Sequence, residues 1–428
     1  MGGVRVTRYH ADAVVPCDAA GTVHRPGVVE VDADGRIAAV GPAAGSAGGD
    51  VRLDGLLMPG LVNVHCHSPM TLFRGAAEDV PLMTFLHDVL WPREARLTDD
   101  DVYWGMTLAC AELLRAGVTT SCEMYLHEAA LAAAVVDGGT RCVLTPGVMD
   151  VPGWLSWRER LDAVVAFHDA HRGRHPRVEI GIAAHSAYTL PPEALEELAA
   201  AAHERDALVH VHVAETREEA GHLSVLAEHG MLDGRALVAH AVWLDDDDLR
   251  LLRERDVGVA HCPQSNAKLA AGIARLVDML DLGLRVGLGT DGPSSNNDLD
   301  LWEELRLAPL LARLQTGRAE VVPAAEAVRL ATAGGAAALG RDDIGVLEPG
   351  RWADFVLVRL DDPAFTPVVE DGDILSHLAW SASSRLVTDV WVGGECVVRA
   401  GSCTTVDEER ARREVDERAR RLAAAPPL

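Results

Sequence analysis

The feature that most constrains the fold is an alternation of short apolar runs with amphipathic helical segments, which begins at residue 61. Eight such runs follow one another: LVNVH, GVTTSCEMY, RCVLTPGVMD, VEIGIAAHS, ALVHVHVAE, RALVAHA, DVGVAHCP and LRVGLGTDG. Near-continuous apolar strands that alternate with helices are typical of a parallel sheet covered by helices. Eight of them predict an α/β fold with a closed (β/α)₈ barrel of the TIM type over residues 59–344. An open doubly wound sheet is the alternative, but no GxGxxG turn follows the first strand.

The two ends of the chain have a different pattern. Residues 1–58 contain GVVEVDADGRIAAVGP, two short strands around an Asp-Gly turn. Residues 345–403 contain GVLEPGRWADFVLVRL and VTDVWVGGECVVRAG, again strands around glycine-rich turns. We expect these two segments to form one small composite β-sandwich. Residues 404–428 are predicted to form a charged C-terminal helix on the outside of the barrel.

Imidazole and carboxylate side chains recur where the predicted strands end, which is the active-site face of such a barrel. They are His65, His67, His185, His212, His240, His261 and Asp291. Neutral imidazoles and one carboxylate suit Zn²⁺ or a similar divalent ion, and a catalytic site keeps a position for water. We predict that His65, His67, His212 and Asp291 bind one metal ion. Zn²⁺ is favoured, and the ligands alone leave Fe²⁺ and Mn²⁺ open.

Three further features refine this site. The chain contains a single lysine, Lys268, beyond the seventh strand. Some barrels hold two metal ions bridged by a modified lysine on the fourth strand. Because the single lysine of this chain lies elsewhere, we expect a site with one metal ion. His210 precedes His212 by two residues and is expected behind the ligands. Glu215 follows His212 by three residues, which places a carboxylate within reach of the substrate as a general acid/base.

The charge of the chain limits its partners. Asp and Glu number 65 against 39 Lys and Arg, a net charge of −26. Such a surface repels nucleic acid and anionic membranes. No apolar signal region and no run of about 18 apolar residues is present, and the eight cysteines form no CxxC pair. We expect a cytoplasmic enzyme with a small-molecule substrate and without a nucleic-acid or membrane partner. The oligomeric state is left open by the sequence, and a homo-oligomer is one of the alternatives.

Five motifs together resemble the amidohydrolase superfamily: PGLVNVHCHSPMTLFRG, HVHVAET, LVAHAVWL, HCPQSNAKLAAGIA and LGTDGPSSNNDLDLWEELRLA. They look most like its branch of nucleoside deaminases and triazine hydrolases, near the deaminases of S-adenosylhomocysteine and 5′-methylthioadenosine. The resemblance covers essentially the whole chain, including GVLEPGRWADFVLV in the β-rich end. It implies hydrolytic deamination of an adenine nucleoside with a modified 5′ position, with release of ammonia and the inosine analogue.

The resemblance also implies roles for single residues. His65, His67, His212 and Asp291 match the four metal ligands of the family. Three residues match its catalytic groups: His240 is similar to the histidine that orients the water, Asp291 shares in proton transfer, and Glu215 resembles the acid that protonates the ring nitrogen beside the attacked carbon. Substrate contacts are implied for Glu94 at the ribose hydroxyls, and for Phe85, His185, Arg160 and Ser294.

Two departures from the family concern the far end of the substrate. Pro146 in VLTPGVMD stands where the S-adenosylhomocysteine-type enzymes have arginine, so that Arg158 or Arg160 would have to replace this contact. Phe85 stands where those enzymes tend to have tryptophan. Both changes affect the amino-acid tail of the substrate more than the adenine.

Several alternatives stay open at this point. They are a deaminase of another amino-heterocycle of the guanine or cytosine type, a deaminase of aminodeoxyfutalosine, and a triazine hydrolase. A non-catalytic metal-binding barrel is disfavoured, because both Glu215 and Asp291 are present.

Overall fold

The computed structural model describes residues 6–43, 49–76, 78–151 and 154–424. The strands are β1 Thr7–Val14, β2 Gly27–Val31, β3 Ile37–Pro42, β4 Val51–Pro59, β5 Leu61–Cys66, β6 Val118–Glu123, β7 Arg141–Leu144, β8 Gly147–Val148, β9 Val178–Ile180, β10 Ile182–Ser186, β11 Val209–Val213, β12 Ala236–His240, β13 Gly258–His261, β14 Arg285–Leu288, β15 Phe355–Val358, β16 Val387–Val392, β17 Glu395–Arg399 and β18 Ser402–Cys403.

The α-helices are α1 Leu82–Thr84, α2 Trp91–Glu94, α3 Asp99–Arg115, α4 Glu128–Gly138, α5 Trp157–His171, α6 Pro192–Arg205, α7 His222–Glu228, α8 Asp246–Glu254, α9 Pro263–Lys268, α10 Leu276–Asp281, α11 Leu301–Thr316, α12 Ala324–Leu330, α13 Ala333–Ala338, α14 Gly372–Trp380 and α15 Glu408–Ala424. Short 3₁₀ turns cover Ser68–Phe73, Arg217–Glu219, Pro363–Phe365 and Ser384–Leu386, and a π-helical turn covers Phe85–Leu90. Among the described helices, none combines the length and apolar character that crossing a membrane requires.

All eight apolar runs form strands, and these strands lie in two parallel sheets. One sheet has the order β5-β6-β7-β9 and the other has the order β14-β13-β12-β11-β10-β8. The third run supplies both β7 and β8, and the fourth supplies both β9 and β10, so the same two runs take part in both sheets. A parallel bridge joins Cys66, at the end of β5, to Asp291, just beyond β14.

The breaks in the third and fourth runs have local causes. Pro146 lies between β7 and β8, and a proline has no N–H to donate to a neighbouring strand. Gly181 lies between β9 and β10, where a Cβ atom would come within 2.5 Å of the carbonyl oxygen of Leu208. The two sheets meet at this point, since the Gly181 amide donates to the Leu144 carbonyl at 2.8 Å.

Both ends of the chain contribute to a third, eight-stranded sheet with the order β18-β17-β16-β15-β4-β1-β2-β3. Its apolar core contains Tyr9, Phe355 and Trp391, whose rings are in mutual contact. A buried ion pair links this sheet to the strands of the central region, because Arg141 on β7 donates from Nε to Asp354 at 2.8 Å. Helix α15 packs on α3 and buries Ala411, Val415 and Leu422.

Candidate metal centre and active site

Three histidine nitrogens and one carboxylate oxygen converge where the parallel strands end. His65 lies in β5 and His67 directly follows that strand, His212 lies in β11, and Asp291 lies in the turn after β14. The Asp291 Oδ1 atom lies 3.3 Å from His65 Nε2 and 3.2 Å from His67 Nε2. The Nε2 atoms of His67 and His212 lie 3.3 Å apart. The structure therefore brings together all four predicted ligands.

The chemistry of this set fits a bound divalent cation. His65 Nε2 is buried without a hydrogen-bond partner. Burial lowers the pKa of His65 to about 3 and also lowers the pKa of His212, so that both rings are neutral and each has a lone pair to donate. The carboxylate of Asp291 supplies the negative charge. A cation at the point where these atoms converge would satisfy all of them.

The second nitrogen of each histidine is held by the surrounding protein. His65 Nδ1 lies 2.9 Å from Nε2 of His210, His67 Nδ1 donates to the Met124 carbonyl at 2.5 Å, and His212 Nδ1 donates to the His185 carbonyl at 2.7 Å. Such contacts fix the ring orientation and the tautomer of metal-binding histidines. His210 occupies the expected position behind the ligands.

Asp291 is oriented by two serines that the sequence analysis did not identify. Ser265, in helix α9, and Ser295 each donate to Asp291 Oδ2 at 2.6 Å. The other oxygen, Oδ1, is thereby left to face the histidines. Both serines follow the end of a barrel-type strand within a few residues, and that position is the only signal in the sequence that could have indicated them.

His240 and Glu215 complete the group around the ligands. His240 Nε2 lies 3.8 Å from Glu215 Oε2, and both side chains are buried. On the other side of the ring, Nδ1 lies 2.9 Å from Asn266 Oδ1, a contact that sequence reasoning also missed. Burial raises the pKa of Glu215 to about 7, although the nearby His240 offsets part of this effect. Glu215 can therefore exchange a proton near neutral pH.

The predicted ligands open into a cavity of about 70 Å³, which we call the metal pocket. Its walls include Glu94, Phe85 and His185 among the predicted substrate contacts, as well as Glu215 and His240. Burial raises the pKa of Glu94. Apolar and aromatic residues that were not predicted also line it: Leu82, Leu86, Leu90, Trp91, Tyr125, Met149, Tyr188 and Leu269.

Three other candidates lie outside the metal pocket. Ser294 is fully buried and its hydroxyl points at Met70 Sδ, at 3.1 Å, while the neighbouring Ser295 lines the pocket instead. Arg160 lines an adjoining cavity and forms an ion pair with Glu128. Arg158 is exposed and forms an ion pair with Glu197.

The chain is similar to known proteins over most of its length. The sequence profile of the Amidohydrolase family matches residues 56–397. A 5-methylthioadenosine/S-adenosylhomocysteine deaminase of Pelotomaculum thermopropionicum is 40% identical over 417 residues, which cover 94% of this chain and 95% of that protein. A 5′-deoxyadenosine deaminase of Methanothermobacter thermautotrophicus is 38% identical over 393 residues, which cover 88% of this chain and 90% of that protein.

Solved structures with the same fold include two that hold zinc. An adenosine deaminase from Xanthomonas campestris with bound zinc superposes with a TM-score of 0.93 at 34% identity, covering 98% of this chain and 99% of that one. The atrazine chlorohydrolase of Arthrobacter aurescens, complexed with zinc, gives a TM-score of 0.88 at 25% identity and covers 96% of this chain and 100% of that one.

Proposed function

The chain belongs to the amidohydrolase family, and from this we propose that it is a metal-dependent hydrolytic deaminase of adenine nucleosides with a modified 5′ position. The reaction replaces the amino group of the purine by oxygen, consumes water, and releases ammonia and the inosine analogue. The relatives named above act, by their names, on 5′-methylthioadenosine, S-adenosylhomocysteine and 5′-deoxyadenosine.

One observation carries the proposal: predicted metal ligands, a proton-exchanging carboxylate and a second carboxylate all line one cavity, the metal pocket. Glu215 and Glu94 both line this pocket, together with His67, His212 and Asp291. Deamination needs an acid at the ring nitrogen and an activated water at the adjacent carbon. A nucleoside adds the requirement for a group that binds ribose hydroxyls, and a buried carboxylate such as Glu94 is suited to this.

We assign the binding of one divalent ion, most consistent with Zn²⁺, to His65, His67, His212 and Asp291. Such an ion, when bound, lowers the pKa of water so that hydroxide is available near neutral pH. The zinc in the two solved structures supports this choice of metal.

The protein side chains carry out the proton transfers in this mechanism. Glu215, with its pKa raised to about 7, donates a proton to the ring nitrogen next to the amine-bearing carbon. His240 orients the attacking water through Nε2, because its Nδ1 faces Asn266. Asp291 accepts a proton from that water and passes it to the amino group, which leaves as ammonia. The proton of the new hydroxyl group returns to Glu215 as the carbonyl forms.

We also infer that the two parallel sheets close into one (β/α)₈ barrel over residues 59–344. The bridge between Cys66 and Asp291 brings the first strand next to the last one, which supports closure. In this division, residues 1–58 and 345–403 form one composite β-domain built on the eight-stranded sheet, and residues 404–428 form the C-terminal segment that contains α15. All eight cysteines are free thiols, which favours a reducing compartment such as the cytoplasm.

The direct test is ammonia release, with the ultraviolet change from adenine to hypoxanthine, over one substrate panel. The panel contains adenosine, 5′-deoxyadenosine, 5′-methylthioadenosine, S-adenosylhomocysteine, guanine, cytosine and an aminotriazine. We expect turnover of the adenine nucleosides and little of the others. Turnover confined to free bases or triazines would contradict the assignment to nucleosides.

A further inference from the structure

A second cavity opens off the metal pocket on the side of Glu94. Glu94, Leu126, Gly147 and Met149 line both spaces, so the two cavities adjoin at these residues. This second space, which we call the side cavity, measures about 660 Å³ against about 70 Å³ in the metal pocket. The metal pocket is therefore the narrower of the two spaces, and a nucleoside whose purine reacts there would extend into a neighbouring one.

If the proposed function is correct, the position of Glu94 indicates which neighbouring space holds the rest of the substrate. The purine atoms that react must face Glu215 and the metal ligands, so that the ribose lies toward the opposite end of the base. With the ribose hydroxyls at Glu94, the 5′ carbon continues into the side cavity. Another cavity, of about 850 Å³, opens past Leu82, Tyr188 and Leu269, but Glu94 does not line it.

The cationic groups of the side cavity are already paired. Arg160 donates from Nη1 to Glu128 Oε1 at 3.0 Å and from Nη2 to Oε2 at 2.9 Å, and its Nε donates to the Gly147 carbonyl. His127 Nδ1 lies 2.7 Å from Asp99 Oδ1. Among the described residues that line the side cavity, Arg160 and His127 are the only side chains that can carry a positive charge.

The carboxylate of a zwitterionic amino-acid tail would therefore find no unmatched cation in this space. It would have to displace Glu128 from a bidentate pair, which is among the stronger polar contacts in proteins, and it would also approach Glu94. The remaining surface of the side cavity is apolar and includes Met149, Trp154, Leu155 and Phe167. Such a surface suits a thioether or alkyl group, and sulfur contacts aromatic rings favourably.

We propose that the side cavity binds the 5′ substituent and selects compact, uncharged groups, such as methylthio or hydrogen, over an amino-acid tail. The inference rests on the proposed function and deepens it. It separates this chain from a deaminase that uses 5′-methylthioadenosine and S-adenosylhomocysteine equally well. For the wild-type enzyme we expect a kcat/KM for 5′-methylthioadenosine at least about ten times that for S-adenosylhomocysteine.

Two matched substitutions test the location. Leu155 in the side cavity is 58% exposed, and Met83 in the cavity beyond Tyr188 is 48% exposed, so either position can accept an arginine without disturbing the core. Leu155→Arg adds an unpaired cation to the side cavity and should reduce the preference for 5′-methylthioadenosine about three- to ten-fold. Met83→Arg should leave that preference unchanged. Glu128→Gln, which frees the Arg160 guanidinium, should act in the same direction as Leu155→Arg.

The outcomes distinguish a failure of the role assigned to the side cavity from a failure of the proposed deaminase activity. Equal use of both substrates by the wild-type enzyme, or a change of preference in Met83→Arg instead of Leu155→Arg, would overturn the role of the side cavity while leaving the deaminase intact. Absence of ammonia release from every adenine nucleoside would overturn the proposed function itself.

Discussion

Glu215 Oε2 lies 3.8 Å from His240 Nε2, and both side chains border the metal pocket. Burial favours the neutral form of both groups. For Glu215 the neutral form carries the proton, whereas for His240 the neutral form has given it up. Their proximity lets a single proton serve either group, and the raised pKa of Glu215, about 7, keeps that proton available near neutral pH. This arrangement suits an acid that donates a proton and recovers it within one turnover.

We expect Glu215→Gln to retain the metal and the fold and to lower kcat by about 10³-fold, because general acid catalysis contributes roughly 10²–10⁴. The amide keeps the size of the side chain but cannot donate the proton required. The measurement is kcat from ammonia release, with metal content determined on the same sample. Turnover close to wild type would remove Glu215 from the mechanism.

A second prediction concerns the contact of 2.9 Å between Asn266 Oδ1 and His240 Nδ1. Asn266→Ala removes the acceptor that orients the ring, and we expect kcat to fall about 10- to 100-fold with little change in KM. Asn266→Asp keeps an oxygen at this position and should restore most of the loss. Equal damage from both substitutions would indicate that Asn266 supports the local fold and not the orientation of His240.

Removal of the metal provides a third test. Dialysis against a chelator should abolish turnover and lower the melting temperature, because a ligand that binds only the folded state stabilises it. One equivalent of Zn²⁺ per chain should restore both. His67→Ala, which deletes one of the converging nitrogens, should bind less zinc under the same conditions. A requirement for two equivalents would contradict the mononuclear site expected from the position of the single lysine.

The strands and the convergence of the four predicted ligands could be predicted from the sequence because both depend on short-range patterns. Each apolar run contains its own β-forming residues, and the position of a histidine at the end of a run determines at which edge of the sheet it lies. The breaks at Pro146 and Gly181 were not predicted, since their effect depends on contacts with neighbouring strands.

The surroundings of the ligands could not be predicted in the same way. Ser265 and Asn266 are adjacent in the sequence but serve different partners, Asp291 and His240, and only the packing of α9 against the strand ends assigns them. From the sequence alone, Ser294 and Ser295 are equally plausible as the serine that reaches the site. The backbone turn after Asp291 directs Ser295 toward the carboxylate and Ser294 toward Met70.

A fourth prediction concerns stability and involves Asp298. Burial raises the pKa of this carboxyl to about 6 from 3.8, and Glu303, Asp300 and Glu112 add to the effect. The folded state therefore prefers the protonated form. The cost of ionisation first appears as the pH rises above about 4 and is complete above about pH 6.

Asp298→Asn removes this cost and keeps the oxygen that accepts from the Asp300 amide at 2.9 Å. We expect it to increase the free energy of unfolding by about 1–2 kcal/mol at pH 8, a value discounted for partial exposure, and by less as the pH falls toward 4. Denaturation at both pH values measures the difference. Asp361→Asn, at an exposed position, is the control and should change little at either pH. A gain that is independent of pH would rule out the explanation by ionisation.

The last prediction concerns Glu94, which is buried on the boundary between the metal pocket and the side cavity. If its carboxylate accepts hydrogen bonds from the ribose hydroxyls, Glu94→Ala should lower kcat/KM for adenosine and 5′-methylthioadenosine about 10- to 100-fold, the range expected for hydrogen bonds to a charged group. A substrate that lacks these hydroxyls, 2′,3′-dideoxyadenosine, should be used poorly by the wild-type enzyme and lose little further in the variant. An equal loss for both kinds of substrate would show that Glu94 shapes the pocket without binding ribose.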